Sequence, residues 1–207
     1  MPLDPAVLRR AAGHLRRADP VLAGIIRSVG PCRLRVDRCG GPFGALVESI
    51  IYQQITGRAA ATIHQRLCAL FENRRPRAAD LLGASDEALR QAGLSRQKIA
   101  ALRDLAQKVT SGLPLGYVAR LPDEEVIEAL TSVKGIGRWT VEMFLIFRLG
   151  RLDVLPVDDY GVRKAMQRAY RKRKLPKADW MTRVAEPWRP YRSVASWYLW
   201  RSVDGGA

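Results

Sequence analysis

The chain has 207 residues, 47% of them hydrophobic and 27% charged, which is enough for one or two compact lobes with a substantial core. Its 35 Lys and Arg against 20 Asp and Glu leave a formal charge of +15, which points to a polyanionic partner, nucleic acid before membrane. No apolar run approaches the ~20 residues of a membrane span, and the opening MPLDPAVLRRAAGHLRR lacks the apolar core of a signal peptide, so a cytoplasmic protein is expected, nucleoid-associated if bacterial.

Apolar residues recur at helical spacing almost throughout, and sustained period-two alternation is nearly absent. Asp4 to Arg17 reads as a helix with Pro5 in its first turn and Leu8, Ala11, Ala12 and Leu15 on one face. A second helix follows Asp19-Pro20 and ends near Gly30-Pro31, and CRLRVDR after it is the one candidate strand. Phe43 to Leu70 reads as two helices broken around Gly57; shorter ones follow at Ala78–Leu82, Asp86–Ala92 and Gln97–Val109, with Ser95 a plausible cap. Leu121-Pro122-Asp123-Glu124-Glu125 opens another with acids where the helix dipole favours them, and RWTVEMFLIFRLG begins a very apolar, buried one. The tail carries helices near Tyr160–Arg171, Ala178–Ala185 and Tyr191–Ser202. The fold class is therefore all-α, without repeats or low-complexity segments.

Cys32, Cys39 and Cys68 are odd in number and widely spread, which argues against a disulfide framework, structural zinc or an iron–sulfur cluster. His14 and His64 offer little material for a metal or Ser/His/Asp site and read as surface or packing residues. Arg171-Lys172-Arg173-Lys174 reads as a solvated run, phosphate-facing or merely solubilising, and Trp180, Trp188 and Trp200 read as packing.

Two stretches carry chemistry. In VKGIGRWT, Gly135 and Gly137 join two helices in a tight turn. Amides at the start of the second helix suit a phosphate oxygen, and with Lys134 and Arg138 beside them the turn looks like a clamp that positions DNA without reading its sequence. Alone, the pattern is equally a plain glycine cap between core helices. About twenty residues on, DVLPVDDYGVRKAM places Asp158 and Asp159 after an apolar loop and before a helix, so one can cap that helix while the other faces a cleft. Taken alone, the pair reads more readily as two caps; the clamp upstream shifts the balance toward chemistry.

With LVESIIYQQITGRAA, GLSRQKIAAL, LTSVKGIGRWTVEMFLIF and EPWRPYRSVASWYLW in the same order, the chain resembles the helix-hairpin-helix superfamily of DNA glycosylases, most of all the 3-methyladenine DNA glycosylase II type. The resemblance implies a two-lobed helical fold with the active-site cleft between lobes and no amino-terminal β domain. Residues 1–207 would form a single glycosylase unit. Lobe one would span approximately 30–115, six-helix and barrel-like, with the hairpin extending to about 150; lobe two would span approximately 1–30 plus 160–207.

The resemblance also implies roles. Asp159 would be the catalytic carboxylate, Trp139 would line the base pocket, and Met143 stands where some relatives have an aromatic pocket residue. Trp197 and Tyr198 would lie near the pocket. Gly135, Gly137 and Thr140 would contact the DNA backbone alongside Lys134 and Arg138. The carbonyls of Thr131, Val133 and Ile136 would hold Na+ or K+, the one metal expected, with no cofactor for catalysis. Gln54 would fill the gap left by a flipped base, with Gln53 beside it. Strand-cutting relatives carry a Schiff-base lysine where this chain has Trp139, so a monofunctional hydrolase of alkylated purines such as 3-methyladenine and 7-methylguanine is implied, acting as a monomer on double-stranded DNA containing damaged bases. The rival readings are a non-catalytic helix-hairpin-helix DNA-binding protein, and a glycosylase for deaminated or oxidised bases.

Overall fold

A computed structural model describes residues 3–203, and among these the chain forms twelve α-helices joined by short turns, with no β-ladder. The segment CRLRVDR is extended but makes only an isolated bridge at Arg35. Packing divides the chain into one unit of residues 1–37 plus 145–207 and a second unit of residues 38–144.

The inserted unit holds α3 (Gly41–Tyr52), α4 (Gly57–Ala69), α5 (Ala78–Gly83), α6 (Asp86–Gln91), α7 (Arg96–Thr110), α8 (Asp123–Thr131) and α9 (Arg138–Phe144). The cap residues Thr56, Ser85 and Ser95 each accept the N–H three residues on, which fixes where α4, α6 and α7 begin. Helix α7 packs against α3, α5 and α6, and its Ile99, Leu102, Leu105 and Ala106 are buried with Leu46, Ile50, Leu81 and Leu130. A π-helical turn, Leu145–Leu149, follows α9 directly.

The other unit holds α1 (Pro5–Ala18), α2 (Pro20–Val29), α10 (Tyr160–Ala169), α11 (Ala178–Ala185) and α12 (Arg192–Val203). Asp4 and Asp19 cap α1 and α2 ahead of a first-turn proline. Asp19 is buried, and its second oxygen accepts from the Trp188 indole N–H at 2.9 Å and from the Tyr170 hydroxyl. Trp188 is fully buried, and Trp180 packs edge-on to Tyr170 beneath the Lys172 ammonium, 4.5 Å from its ring; the rest of the basic run is exposed. Helix α12 is packed by α1, α2 and α10, and residues all around it are buried.

The unit bounds differ from those expected at 30, 115–150 and 160. Residues 31–37 stay with the first unit because the Asp37 N–H donates to the Phe147 carbonyl at 2.9 Å and its carboxylate pairs with Arg148 at 2.7 Å. The second unit extends to 144 because α8 and α9 pack on each other and α9 on α3.

Candidate nucleic-acid interface and carboxylate site

Within residues 38–144, the turn between α8 and α9 has the shape its glycines suggest. Gly135 has φ +80°, a conformation that L side chains rarely adopt, whereas Gly137 does not need the left-handed region. Val133 and Ile136 are buried beneath the turn, with the Ile136 N–H donating to the Val133 carbonyl at 3.1 Å. Lys134, Gly135 and Gly137 are exposed, Trp139 is 45% exposed, Thr140 is buried and Met143 half-buried.

Several side chains hold this turn. Asp104 on α7 accepts the Lys134 N–H at 2.7 Å and the Lys108 ammonium at 2.8 Å. Those two donors, the Lys108 side chain first, hold the Asp104 carboxyl below the usual carboxylate range. Arg138 bonds Glu124 of α8 at 2.8 Å and the buried Glu142 of α9 at 3.2 Å, so its guanidinium ties the two legs of the hairpin together.

Gln53 follows α3, and its amide donates to the Gly135 carbonyl at 2.9 Å. Gln54 is exposed, with φ +59°. The Lys98 ammonium on α7 donates to the carbonyls of Ile50 at 3.1 Å, of Gln53 at 2.9 Å and of Ile51. Burial draws the Lys98 pKa down. Neither Lys98 nor Asp104 was singled out in the sequence. Lys98 left one signal: with Ala101, Leu102 and Leu105 it lies on the apolar stripe of α7, where a lysine is out of place.

In the other unit, Asp159 is 8% exposed and Asp158 is exposed. Of the two carboxylates, it is Asp159 that caps α10. Asp159 Oδ1 accepts the Val162 N–H at 2.8 Å as the cap of α10 and the Trp200 indole N–H at 2.7 Å. An N-cap carboxylate must turn back over its own helix, and on α10 that direction leads to α12. Trp200, read as packing from the sequence, is thus the α12 residue on Asp159, and it also stacks at 5.7 Å on Phe147. Tyr198 is fully buried with its hydroxyl donating to the Gly30 carbonyl, and it lines a cavity of 770 Å³ with Leu8, Ile26 and Leu34; neither Asp159 nor Trp200 lines that cavity. Trp197 is half-buried, edge-on to Tyr198. Gly161 was also missed: a Cβ there would lie 2.9 Å from Trp200 and 3.1 Å from Asp159 Oδ1.

The remaining titratable candidates are accounted for by packing. His14 bonds the Pro187 carbonyl at 3.0 Å, and His64 lies 3.6 Å from Cys68, whose thiol burial pushes up. Among the described residues no cluster of His, Cys, Asp and Glu suits a metal ion, and no helix is long and apolar enough to cross a membrane.

Residues 47–190, which include the hairpin and Asp159, match the family model of the HhH-GPD superfamily of base excision DNA repair proteins. The chain belongs to this superfamily. Among HhH-GPD proteins it is 36% identical over 199 residues to DNA-3-methyladenine glycosylase 1 of Schizosaccharomyces pombe, covering 94% of this chain and 87% of that one. The solved structure of the Schizosaccharomyces pombe 3-methyladenine DNA glycosylase with abasic DNA aligns at TM-score 0.80 and 34% identity, covering 94% of this HhH-GPD chain and 97% of that one. A DNA-3-methyladenine glycosidase from Bacillus halodurans aligns at TM-score 0.84 and 36% identity, covering 93% and 88%.

Proposed function

We propose that this base excision repair DNA glycosylase hydrolyses the N-glycosidic bond of alkylated purines, of the 3-methyladenine and 7-methylguanine type, in double-stranded DNA, and releases the base without cutting the strand. The observation that carries the reading is Asp159: a buried carboxylate at a helix start, held on one oxygen by a backbone N–H and by Trp200.

A base inside a duplex is out of reach, and turning it out costs a few kcal/mol of stacking and pairing. The hairpin amides at Gly135 and Gly137, with Lys134, Arg138 and Thr140, would hold the backbone while Gln54 fills the gap. The carbonyls of Thr131, Val133 and Ile136 are neutral oxygen donors of the kind a hard cation accepts; the Val133 oxygen keeps a second lone pair beyond its bond to Ile136. A Na+ or K+ held there would add charge toward a phosphate.

N3- and N7-alkylated purines are cationic and already have a labile glycosidic bond, so no strong general acid is needed. An exposed indole such as Trp139 favours a cationic ring by about 0.5–2 kcal/mol, with Met143 one turn away on α9. As the bond breaks, positive charge grows on the sugar. Ionised Asp159 would stabilise it and orient or deprotonate the attacking water. Trp139 at the place of a Schiff-base lysine supports hydrolysis without strand cleavage; the enzyme would act as a monomer.

The test is a gel assay of duplexes carrying 7-methylguanine, 3-methyladenine, 1,N6-ethenoadenine, hypoxanthine or uracil, read with and without alkali. Alkylated purines should be excised, with strand breaks appearing only after alkali. Asp159→Asn should lower excision at least ~100-fold, as expected when a transition-state charge loses its partner, with duplex binding retained. Near-normal turnover by that variant would sink the assignment of Asp159, whereas a wild type that excises none of these lesions would leave a non-catalytic DNA-binding role.

A further inference from the structure

Helix α7 carries two anchors on one rigid rod. Asp104 holds the hairpin through the Lys134 N–H, and Lys98, six residues earlier, holds the carbonyls of Ile50, Ile51 and Gln53 where α3 ends. Six residues of helix span about 9 Å. The last carbonyls of a helix have no partners within it, and an ammonium with three donors suits three of them. Lys98 reaches them because its stem lies on the apolar stripe of α7.

The consequence falls on the next residue. Gln54 stands at φ +59°, a region non-glycine residues seldom enter unless their surroundings hold them there. The carbonyl before it is fixed by Lys98, and the Gln53 side chain is bonded across 82 residues to the Gly135 carbonyl at the crest of the hairpin. Three side chains on two segments therefore brace the Gln54 loop and the hairpin within one unit.

We propose that Lys98 and Gln53 are positioning residues that make the gap-filling loop and the phosphate-gripping hairpin a single rigid body, so that seating the hairpin on the backbone delivers Gln54 to the space beside it. Gln53 acts as a strut and Gln54 as the wedge. The inference rests on the glycosylase reading and on the gap-filling role of Gln54.

Lys98→Met, Gln53→Leu, Gln54→Ala and the doubles Lys98→Met/Gln54→Ala and Gln53→Leu/Gln54→Ala are compared with Ser85→Ala, which loses a helix cap remote from these contacts. Single-turnover excision of 7-methylguanine, fluorescence of a 2-aminopurine placed beside the lesion, and affinity for undamaged duplex are read for each. Lys98→Met and Gln53→Leu should each slow excision about tenfold or more, within the ~100-fold that an ångström of misplacement can cost. Both should weaken the 2-aminopurine signal, while undamaged-duplex affinity stays within about twofold. Each double should be no slower than Gln54→Ala alone, because residues that act through a third are not additive with its loss. Additive doubles, or single variants no slower than Ser85→Ala at matched melting temperature, would overturn the proposal. Gln53→Leu, on a half-buried side chain, carries the test if Lys98→Met does not fold. If the wild type excises nothing, the glycosylase reading fails, and the 2-aminopurine signal still reports whether strut and wedge act together.

Discussion

Asp159 receives two donors on a single oxygen, one from its own helix and one from the Trp200 indole on α12. An ionised carboxylate only accepts hydrogen bonds, so two donors suit it and also fix the plane in which its other oxygen lies. Gly161 makes room for this arrangement. In the first turn of α10, alanine would raise helix propensity by up to about 1 kcal/mol over glycine, yet its Cβ would meet the Trp200 ring at 2.9 Å. The ring belongs to a packed aromatic pair with Phe147 and has little freedom to give way. Gly161→Ala should therefore fail to raise the melting temperature and should slow single-turnover excision about tenfold, a displaced carboxylate costing rate before it costs fold. An unchanged excision rate with a higher melting temperature would show that Trp200 can move aside freely.

At the scale of elements, the hairpin is held from outside by Asp104 as much as from inside by its glycines. The Lys108 ammonium and the Lys134 N–H lower the Asp104 pKa in the folded state, so its contribution is fully present above the ordinary carboxylate range and is lost as pH falls through the depressed value. Hydrogen exchange at the Lys134 amide should accordingly lose protection on acidification before the core of α7 does, and Asp104→Asn should abolish that pH dependence. An Asp104→Asn variant with the wild-type acid profile would place the titrating group elsewhere.

The helices themselves were readable because each carries local signals: Asp4, Asp19, Ser95 and Asp159 as caps, prolines in first turns, apolar residues at period 3.6. What was not readable depends on partners distant in sequence. Gln53 meets Gly135 across 82 residues, and Lys98 meets Gln53 across 45, with no local pattern to announce either. Helix α12 is buried on so many sides that apolar spacing names no face, so nothing in the sequence singled out Trp200 as the residue bonded to Asp159. The π turn lies in the uninterrupted apolar run Leu145-Ile146-Phe147, which offers no break signal. Gly161 inside a helical pattern reads as a cost until its neighbours are known.

For the whole molecule, the +15 charge sets affinity more than it sets specificity. If about six phosphates are neutralised, binding to undamaged duplex should weaken ~1000-fold between ~50 and ~200 mM salt. Excision measured under single-turnover saturation should change far less, because the chemical step proposed for Asp159 does not draw on counterion release. A flat salt profile would mean that the surface charge does not meet the backbone. The division of the chain has its own consequence, for synthesis. The hairpin unit, residues 38–144, is continuous, whereas the unit bearing Asp159 needs both 1–37 and 145–207. On a ribosome the hairpin unit can therefore pack while residues 1–37 wait for a partner still unmade. The unit that carries Asp159 is therefore completed after the hairpin unit, so an interrupted chain can hold the hairpin without that carboxylate.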